Sequence, residues 1–254
     1  MIVENEDEVP GLAVILSGGE GTRLRPITYE IPKPMIPVKG KPILEHLVLE
    51  LKRNGVKNLV VTLGYKPEAI EKYFKHGEKF GLRIDYSIEN EALGTGGATK
   101  LAVTHQMGSI DGSDILVVNG DNLIEIDLKA MYKLHCKEKA FVTLAVKRVG
   151  NVEGYGVITV DGNVIKNFVE KPDPKDAESN IINIGVYMLS PEAIRMLPEQ
   201  KKFSMERDFF QPMVSRYKFC AYEMGGQWFP SDTMERYGKA ILGWKPLNSG
   251  TANK

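Results

Sequence analysis

This 254-residue chain has few cysteines, no excess of positive charge and no long apolar run, and each of these features excludes a class of protein. Its two cysteines, Cys136 and Cys220, lie far apart, too few for a disulfide framework or a thiolate metal site, which favours a reducing compartment. Lys plus Arg equals Asp plus Glu at 33 each, so no cationic excess points to nucleic acid or an anionic membrane. No apolar run approaches the roughly 20 residues of a membrane span, and the acidic start lacks an apolar signal core. We therefore expect a cytoplasmic protein without nucleic-acid or membrane partners.

Several familiar site motifs are also missing. The chain has no GxxxxGK[ST] phosphate loop, no GxSxG hydrolase elbow and no HExxH pair. Its glycine-rich turn near the N-terminus is not a dinucleotide fingerprint, because Leu24 stands where the third glycine is required. An NAD-type oxidoreductase is therefore disfavoured.

The first half of the chain alternates strand-like and helix-like segments. Apolar runs predict strands at residues 12–16, 58–63, 83–88 and 114–121. Amphipathic patterns predict helices at 41–53, 67–79 and from about Gly97. Such alternation predicts an α/β, Rossmann-like fold with a mostly parallel central sheet and helices on both faces.

After residue 140 the pattern changes to strands separated by short turns. Strands are predicted at 141–147, 155–160, 164–170, 182–189 and 218–223, and helices near 191–197, at 205–216 and from about 233. Asp161-Gly162 is a strong hairpin signal. We expect a smaller antiparallel β lobe within one domain of residues 1–245. Its halves are about 11–140 and 141–245, followed by a frayed tail at 246–254.

The most informative local feature is the glycine turn that follows the first strand. Gly18, Gly19 and Gly21 allow close backbone approach and point N–H groups inward, while Arg23 and Lys33 add positive charge. Ligands of parallel sheets bind beyond the carboxyl ends of the strands, where this turn falls. The pattern predicts that the chain binds phosphate groups.

The run GGEGTRLRP, followed by KPMIPV and KGKPILEH, resembles the signature of sugar-1-phosphate nucleotidylyltransferases. LGTGGA, NGD, EKP and NIGVY then recur in the family's order, so the resemblance covers residues 12 to about 240. It implies the fold of nucleotide-diphospho-sugar transferases, with Mg²⁺ as cofactor and an NTP and a sugar 1-phosphate as substrates. The products would be a nucleotide sugar and pyrophosphate. The choice between a monomer and a homo-oligomer stays open.

By this resemblance the first half, about 11–140, binds the nucleotide. The implied contacts are Leu16, Gly18, Gly19, Gly21, Thr22, Arg23, Glu89, Gly94 and Thr95. Arg23 and Lys33 would stabilise charge on the leaving pyrophosphate, and Asp121, at a strand end, would bind Mg²⁺. The alternatives are a surface ion pair for Arg23, a solvated loop cation for Lys33 and an Asx turn for Asp121.

The second metal ligand is less regular in sequence. Many relatives carry W-x-D-x-G-T-P-E, whereas residues 228–235 read WFPSDTME, with Pro230 at the expected aspartate. Asp232 is the nearby candidate for a second metal ligand. Its alternative role is a helix N-cap.

The resemblance assigns the second half, about 141–245, to the sugar phosphate. The implied contacts are Gly156, Glu170, Lys171, Asn183 and Glu206. In the family pattern the lysine binds the phosphate and the first glutamate binds sugar hydroxyls. Because Lys171 precedes a proline, we expect extended backbone there. For Glu206 the alternative is a first-turn helix carboxylate stabilised by the helix dipole.

The base pocket, at Glu89 and residues 93–97, decides the product. A carboxylate at Glu89 suits guanine, whose N1–H and N2–H₂ are adjacent donors, and LGT-x-G resembles mannose-1-phosphate guanylyltransferases. Thr95-Gly96-Gly97 and the W-x-x-x-D-T ending favour the cytidylyl branch. We expect a mannose-1-phosphate guanylyltransferase, with glucose-1-phosphate cytidylyl-, thymidylyl- or uridylyltransferase as alternatives. A non-catalytic nucleotide-sugar sensor or regulatory subunit is a more distant alternative.

Overall fold

The computed structural model describes residues 8–104, 106 and 112–246. Its strands are β1 (Leu12–Leu16), β2 (Pro37–Val38), β3 (Lys41–Pro42), β4 (Asn58–Leu63), β5 (Arg83–Ile88), β6 (Ile115–Asn119), β7 (Asn122–Ile124), β8 (Val142–Arg148), β9 (Gly156–Asp161), β10 (Val164–Glu170), β11 (Ile181–Leu189), β12 (Phe219–Glu223) and β13 (Trp228–Pro230).

The α-helices are α1 (Ile27–Glu30), α2 (Ile43–Arg53), α3 (Pro67–Phe74), α4 (Gly94–Thr104), α5 (Leu128–Glu138), α6 (Pro191–Arg195), α7 (Gln211–Met213) and α8 (Met234–Gly243). Short 3₁₀ turns occur at Thr22–Leu24, Lys33–Met35, Glu78–Phe80 and Pro174–Asp176, and a π-helical segment at Met205–Phe210 leads directly into α7. Within the described ranges, no helix is long and apolar enough to cross a bilayer.

A nine-stranded mixed sheet forms the centre of the molecule, in the order β5-β4-β1-β6-β11-β8-β12-β10-β9. The first four strands of this order run parallel to one another. From β11 onward most neighbours are antiparallel, with a parallel β8–β12 pair. The expected α/β class is confirmed, and the strands of the antiparallel second half continue the parallel sheet.

Apolar side chains of the central strands feed two cores on opposite faces of the sheet. Along β1, Ala13 and Ile15 face one core and Leu12 and Val14 the other, as the two-residue period of a strand requires. Residues of α2, α3 and α5 cover the first face, and residues of α4, α6 and the π-helical segment cover the second. Because both faces are covered, the strands are apolar on both sides, as the sequence predicted.

A small two-stranded sheet that the sequence did not reveal brings two distant segments together. β13 pairs antiparallel with β7, with Pro230 opposite Asn122. Asp121 directly precedes β7 and Asp232 lies just after β13, so this pairing places both aspartates at one edge. Ser231 tightens the junction by donating from Oγ to the Asp121 carbonyl oxygen at 2.6 Å.

Several predicted helix boundaries are wrong, and two of them have a clear local reason or a large shift. The helix after β4 ends at Phe74, followed by a separate 3₁₀ turn, because Lys75 (φ 49°) and Gly77 (φ 91°) leave the right-handed helical region. α4 begins at Gly94, three residues before the expected start. The predicted frayed tail lies outside the described residues except for Pro246.

Candidate active site

Two adjoining cavities open beside the carboxyl ends of the central strands. The first, of about 410 Å³, lies at the ends of β1, β4, β5 and β6. The second, of about 300 Å³, lies between β6, the antiparallel strands and the π-helical segment. The residues that line both cavities form their shared wall: Arg23, Thr95, Asn119, Asp121 and Asp232.

All the site residues expected from the sequence line one or both cavities. The first is lined by Leu16, Gly18, Gly19, Gly21, Thr22, Arg23, Lys33, Glu89, Gly94, Thr95, Asp121 and Asp232. The second is lined by Gly156, Glu170, Lys171, Asn183 and Glu206, together with the shared residues. Segments far apart in the chain are therefore neighbours around one two-part site.

The glycine turn packs too tightly for side chains at two positions. A Cβ atom on Gly18 would lie 2.3 Å from Glu89 Oε1. Gly21 has φ 65°, the left-handed region that favours glycine, and its carbonyl oxygen accepts a 3.0 Å hydrogen bond from Thr28 Oγ1. The turn is thus fixed from both sides, with its backbone facing the first cavity.

Glu89 lies against this turn as a half-buried carboxylate. Burial raises its pKa, while hydrogen bonds from the Leu93 amide and the Thr62 hydroxyl oppose the shift. Leu93 N donates to Glu89 Oε2 at 3.2 Å. A carboxylate accepts more hydrogen bonds than these two, so Glu89 retains capacity for ligand donors in the first cavity.

Lys33 and Asp121 form a close ion pair in the wall of the first cavity. The Lys33 side chain is only 12% exposed, so it is not a solvated loop cation. Asp121 keeps 32% of its side chain exposed toward both cavities. The pair therefore places a positive charge in the wall of the first cavity and a negative charge in the shared wall.

Asp232 is held by two arginines. Arg23 Nη1 lies 2.9 Å from Asp232 Oδ2, and Arg236 Nη1 contacts both carboxylate oxygens at 2.9 and 3.1 Å. Burial pushes the pKa of Asp232 upward, but Arg236, Arg23 and Lys33 outweigh it and hold the pKa below its ordinary value. The N-cap interpretation of Asp232 is wrong, because Thr233 caps α8 through a 3.2 Å bond from Arg236 N.

Glu206 is the centre of a hydrogen-bond network beside the second cavity. It accepts from Thr95 Oγ1 and Ser204 Oγ at 2.7 Å each and from the Tyr187 hydroxyl at 2.9 Å. Asn183 Nδ2 in turn donates to the Tyr187 hydroxyl at 3.0 Å. Although Glu206 lies in the first turn of the π-helical segment, it is buried and bonded to side chains rather than solvated at a helix end.

Glu170 and Lys171 close the far side of the second cavity. Burial raises the pKa of Glu170, and the nearby Glu206 raises it further. Gly156 is required beside it, since a Cβ there would lie 2.7 Å from Glu170 Oε2. The expectation of extended backbone at Lys171 is wrong: its φ is 50°, a strained value for a non-glycine residue. Its ammonium lies 3.3 Å from Glu170 Oε1 and is largely exposed.

Sequence reasoning missed several residues that line the cavities: Ser17, Thr62, Asn119, Tyr155, Tyr187, Ser204, Arg207, Trp228 and Arg236. Asn119 directly precedes the Gly-Asp pair, and Arg236 stands one helical turn after Asp232, so both had a local signal. Tyr187 ends the NIGVY motif, but its role could not be read from that motif because it depends on the hydrogen bond to Glu206 from another element.

The donor chemistry at the shared wall fits a magnesium ion. Across the described ranges, His, Cys, Asp and Glu side chains do not gather in a group of three or more that could hold a metal. Mg²⁺ needs fewer, because it is usually bound by one or two carboxylates together with substrate phosphates and water. Asp121 and Asp232 supply two carboxylates beside both cavities.

Comparisons with known proteins show the family of this chain. The family model for nucleotidyl transferases matches residues 12–241. The chain is 38% identical over 230 residues to D-glycero-alpha-D-manno-heptose 1-phosphate guanylyltransferase of Aneurinibacillus thermoaerophilus, covering 90% of this chain and 96% of that protein. It is 36% identical over 244 residues to UTP–glucose-1-phosphate uridylyltransferase of Synechocystis, covering 91% of this chain but 62% of that longer protein.

A solved structure shares the fold over most of its length. The crystal structure of HddC from Yersinia pseudotuberculosis in complex with GMP-PN superposes with a TM-score of 0.74 at 32% identity, covering 92% of this chain and 99% of that one. The family model and these relatives confirm the resemblance to sugar-1-phosphate nucleotidylyltransferases, and the chain belongs to the nucleotidyl transferase family of enzymes.

Proposed function

We propose that this chain is a Mg²⁺-dependent sugar-1-phosphate nucleotidyltransferase that binds an NTP in the first cavity and a sugar 1-phosphate in the second. The observation that carries the proposal is the shared wall. Arg23, Asp121 and Asp232 line both cavities, so the phosphates of two ligands would meet among fixed charges. Juxtaposition and charge neutralisation are the main needs of phosphoryl-type transfer.

The reaction is a single in-line displacement at the α-phosphorus of the NTP. A phosphate oxygen of the sugar 1-phosphate forms the new O–P bond as the bond between the α-phosphorus and the bridging oxygen to the β-phosphate breaks. Pyrophosphate leaves with that electron pair, and the nucleotide sugar retains the sugar's own phosphorus and the α-phosphorus. No covalent enzyme intermediate is formed.

Each fixed charge has a proposed part in this step. Arg23 and Lys33 stabilise the negative charge that builds on the leaving pyrophosphate, and Lys171 positions the phosphate of the sugar. The glycine turn at Gly18 and Gly21 cradles the triphosphate with backbone N–H groups. Asp121 and Asp232 would hold Mg²⁺, which when bound neutralises phosphate charge and orients the phosphate oxygens.

For the substrates we propose GTP and a manno-configured sugar 1-phosphate, with mannose 1-phosphate first. Glu89 supports guanine, because one carboxylate can accept from both N1–H and N2–H₂. The A. thermoaerophilus relative is named a heptose 1-phosphate guanylyltransferase, and the Yersinia structure holds GMP-PN. The Synechocystis relative is named for UTP and glucose 1-phosphate, so uridylyl, thymidylyl and cytidylyl transfer are the alternatives to be tested.

A pyrophosphate-release matrix tests the proposal. Purified protein with Mg²⁺ is offered ATP, CTP, GTP, UTP and dTTP, each against glucose, mannose and heptose 1-phosphates. We expect the fastest release with GTP and mannose or heptose 1-phosphate. If pyrophosphate release is fastest with another NTP, the base of that NTP is the one the protein selects, and the assignment of guanine is wrong. If the protein binds a nucleotide sugar but releases no pyrophosphate with any pair of substrates, the sensor function is favoured. The same assay with EDTA tests the metal requirement.

We further propose a cytoplasmic location. The two cysteines, Cys136 and Cys220, lie far apart in the sequence and are too few for a disulfide framework, as expected in a reducing compartment.

A further inference from the structure

Buried polar atoms without partners are concentrated at the two cavities. Among the described residues, four buried side-chain atoms have no hydrogen-bond partner: Ser17 Oγ, Ser87 Oγ, Asn119 Oδ1 and Trp228 Nε1. Ser17 lines the first cavity, Trp228 the second and Asn119 both, whereas Ser87 lines neither. A buried polar atom left unpaired is unfavourable, so a cluster of them beside a cavity marks where ligand atoms complete the hydrogen bonding.

Asn119 occupies the most informative of these positions. It is the last residue of β6 and stands two residues before Asp121, in the wall that the two cavities share. Its acceptor oxygen is neutral, unlike the carboxylates of Glu170 and Glu206 deeper in that cavity. A neutral acceptor there can bind a hydroxyl without repelling the phosphates nearby.

Gly185 fixes the amide of Asn119 from behind. It has φ 79°, and a Cβ on it would lie 2.3 Å from Asn119 Nδ2 and 3.0 Å from Asn119 Cβ. Its own N–H is bonded to Asn183 Oδ1 at 3.0 Å. Gly185 lines the second cavity together with Asn119, so the close contact between them restricts the amide at the edge of that cavity.

We propose that Asn119 Oδ1 accepts a hydrogen bond from the hydroxyl on the carbon next to the anomeric carbon of the sugar 1-phosphate, and thereby determines sugar specificity. The proposal rests on the function proposed above. Asn119 belongs to the shared wall where the phosphate of the sugar would lie, and the carbon next to the anomeric carbon carries the hydroxyl closest to that phosphate. Mannose and glucose differ in configuration at that same carbon, so an acceptor fixed by Gly185 distinguishes them.

The test compares three ligands on matched variants. Mannose 1-phosphate, glucose 1-phosphate and 2-deoxyglucose 1-phosphate are titrated calorimetrically into wild type, Asn119→Leu and Asn119→Asp, and KM is measured for each active pair. The 2-deoxy compound lacks the hydroxyl and is the same molecule for both epimers. Asn119→Leu removes the acceptor at similar size, Asn119→Asp keeps it, and Ser87→Ala is a control outside the cavities.

Wild type should bind its preferred epimer about tenfold more tightly than the 2-deoxy compound, as expected for one hydrogen bond to a buried acceptor. In Asn119→Leu this preference should fall to about twofold or less. The KM for the sugar 1-phosphate should rise, while the KM for the NTP should stay unchanged. Ser87→Ala should keep the preference. Asn119→Asp should also keep it, although its added negative charge should weaken the binding of all three sugar phosphates alike.

Full preference in Asn119→Leu would overturn the proposal for Asn119 alone. If Asn119→Leu does not fold, Asn119→Ala takes its place under the same criterion. If wild type binds none of the three ligands, the second cavity is not a sugar-phosphate site, and the function proposed above fails with this inference. Asn119→Leu is compared in the same way with NTPs and their 2′- or 3′-deoxy analogues. If the variant loses discrimination between these nucleotides and keeps it between the sugar phosphates, Asn119 contacts the ribose and the proposal is contradicted.

Discussion

The two cavities share a wall, but the first is lined largely by backbone at its glycine turn and the second by polar side chains. The first lies at the ends of four parallel strands, and its glycine turn presents backbone, with Gly18 packed against Glu89. The second is bounded by side chains from separate elements, and Thr95 of α4, Tyr187 of β11 and Ser204 before the π-helical segment all donate hydrogen bonds to Glu206. The comparison shows that a backbone cradle can be encoded in one contiguous motif, whereas a side-chain pocket depends on pairings across the whole fold.

This difference predicts how substitutions should act in the two regions. Changes at the charged residues of the shared wall, such as Asp121 and Arg23, should cause the largest losses of turnover because both cavities depend on these charges. Changes in the second cavity should affect binding of one substrate and the stability of the network. Changes at the base end of the first cavity should alter selectivity with smaller losses.

Asp121→Asn should have the largest effect. Removing one negative charge from the shared wall should lower kcat by about a thousandfold or more, because the charge arrangement for transfer and for Mg²⁺ is lost. Asp161→Asn, an exposed carboxylate in the β9–β10 hairpin, is the control and should leave kcat unchanged. Circular dichroism should show that both variants are folded. Near-normal turnover in Asp121→Asn would refute the role of the shared wall.

Arg23→Ala should come next, with a loss of about a hundredfold to a thousandfold in kcat/KM for the NTP. The Arg23 side chain is 65% exposed and pairs with Asp232, so it can move to the phosphates at little cost in stability. Arg25→Ala, which breaks a neighbouring pair with Glu20, is the matched control. If Arg23→Ala and Arg25→Ala lowered kcat/KM for the NTP equally, the loss would reflect a structural disturbance of the segment that contains both arginines.

Tyr187→Phe should distinguish the second cavity from the first. Burial and the neighbouring Glu206 raise the pKa of Tyr187 well above its ordinary value, so the hydroxyl stays protonated and donates. Its loss leaves Glu206 short of a donor, which should lower the free energy of unfolding by about 1–3 kcal/mol. KM for the sugar 1-phosphate should rise about tenfold while KM for the NTP stays constant. A rise in the KM of the NTP instead would contradict the division of the two cavities.

Glu89→Gln should change base selectivity with a modest loss of activity. An amide offers a donor and an acceptor, so it suits the edge of uracil or thymine better than that of guanine. We expect kcat/KM for GTP to fall about tenfold and the ratio of UTP to GTP to rise. An unchanged ratio would remove Glu89 from base recognition.

The pH dependence of stability should show the smallest effect, at Asp232. Because its pKa is lowered on folding, its ionised form stabilises the protein above about pH 3.8, and this contribution is lost as the pH falls through the lower folded value. Asp232→Asn should therefore be less stable than wild type near neutrality, by on the order of 1 kcal/mol, and the difference should shrink in acid. Urea unfolding at several pH values measures it, and a difference that grows in acid would contradict the assignment.

Much of the fold could be predicted from the sequence, because the continuous apolar runs of β1 and β6 specify buried parallel strands. The phosphate-binding role of residues 18–33 could also be predicted, because all the residues of this motif are close together in the sequence. Asn119, Tyr187 and Arg236 acquire their surroundings only when β7 pairs with β13 and β11 packs against β6. The left-handed backbone at Lys171 likewise reflects tertiary contacts that overrode the preference imposed by the following proline.

The most direct test of the central claim is a rapid-quench measurement of pyrophosphate release from GTP, with and without mannose 1-phosphate, at enzyme concentrations above that of GTP. Direct transfer at the shared wall predicts release only when both substrates are present, with one nucleotide sugar formed per pyrophosphate. Release from GTP alone at a comparable rate, with the guanylyl group left on the protein, would contradict the account.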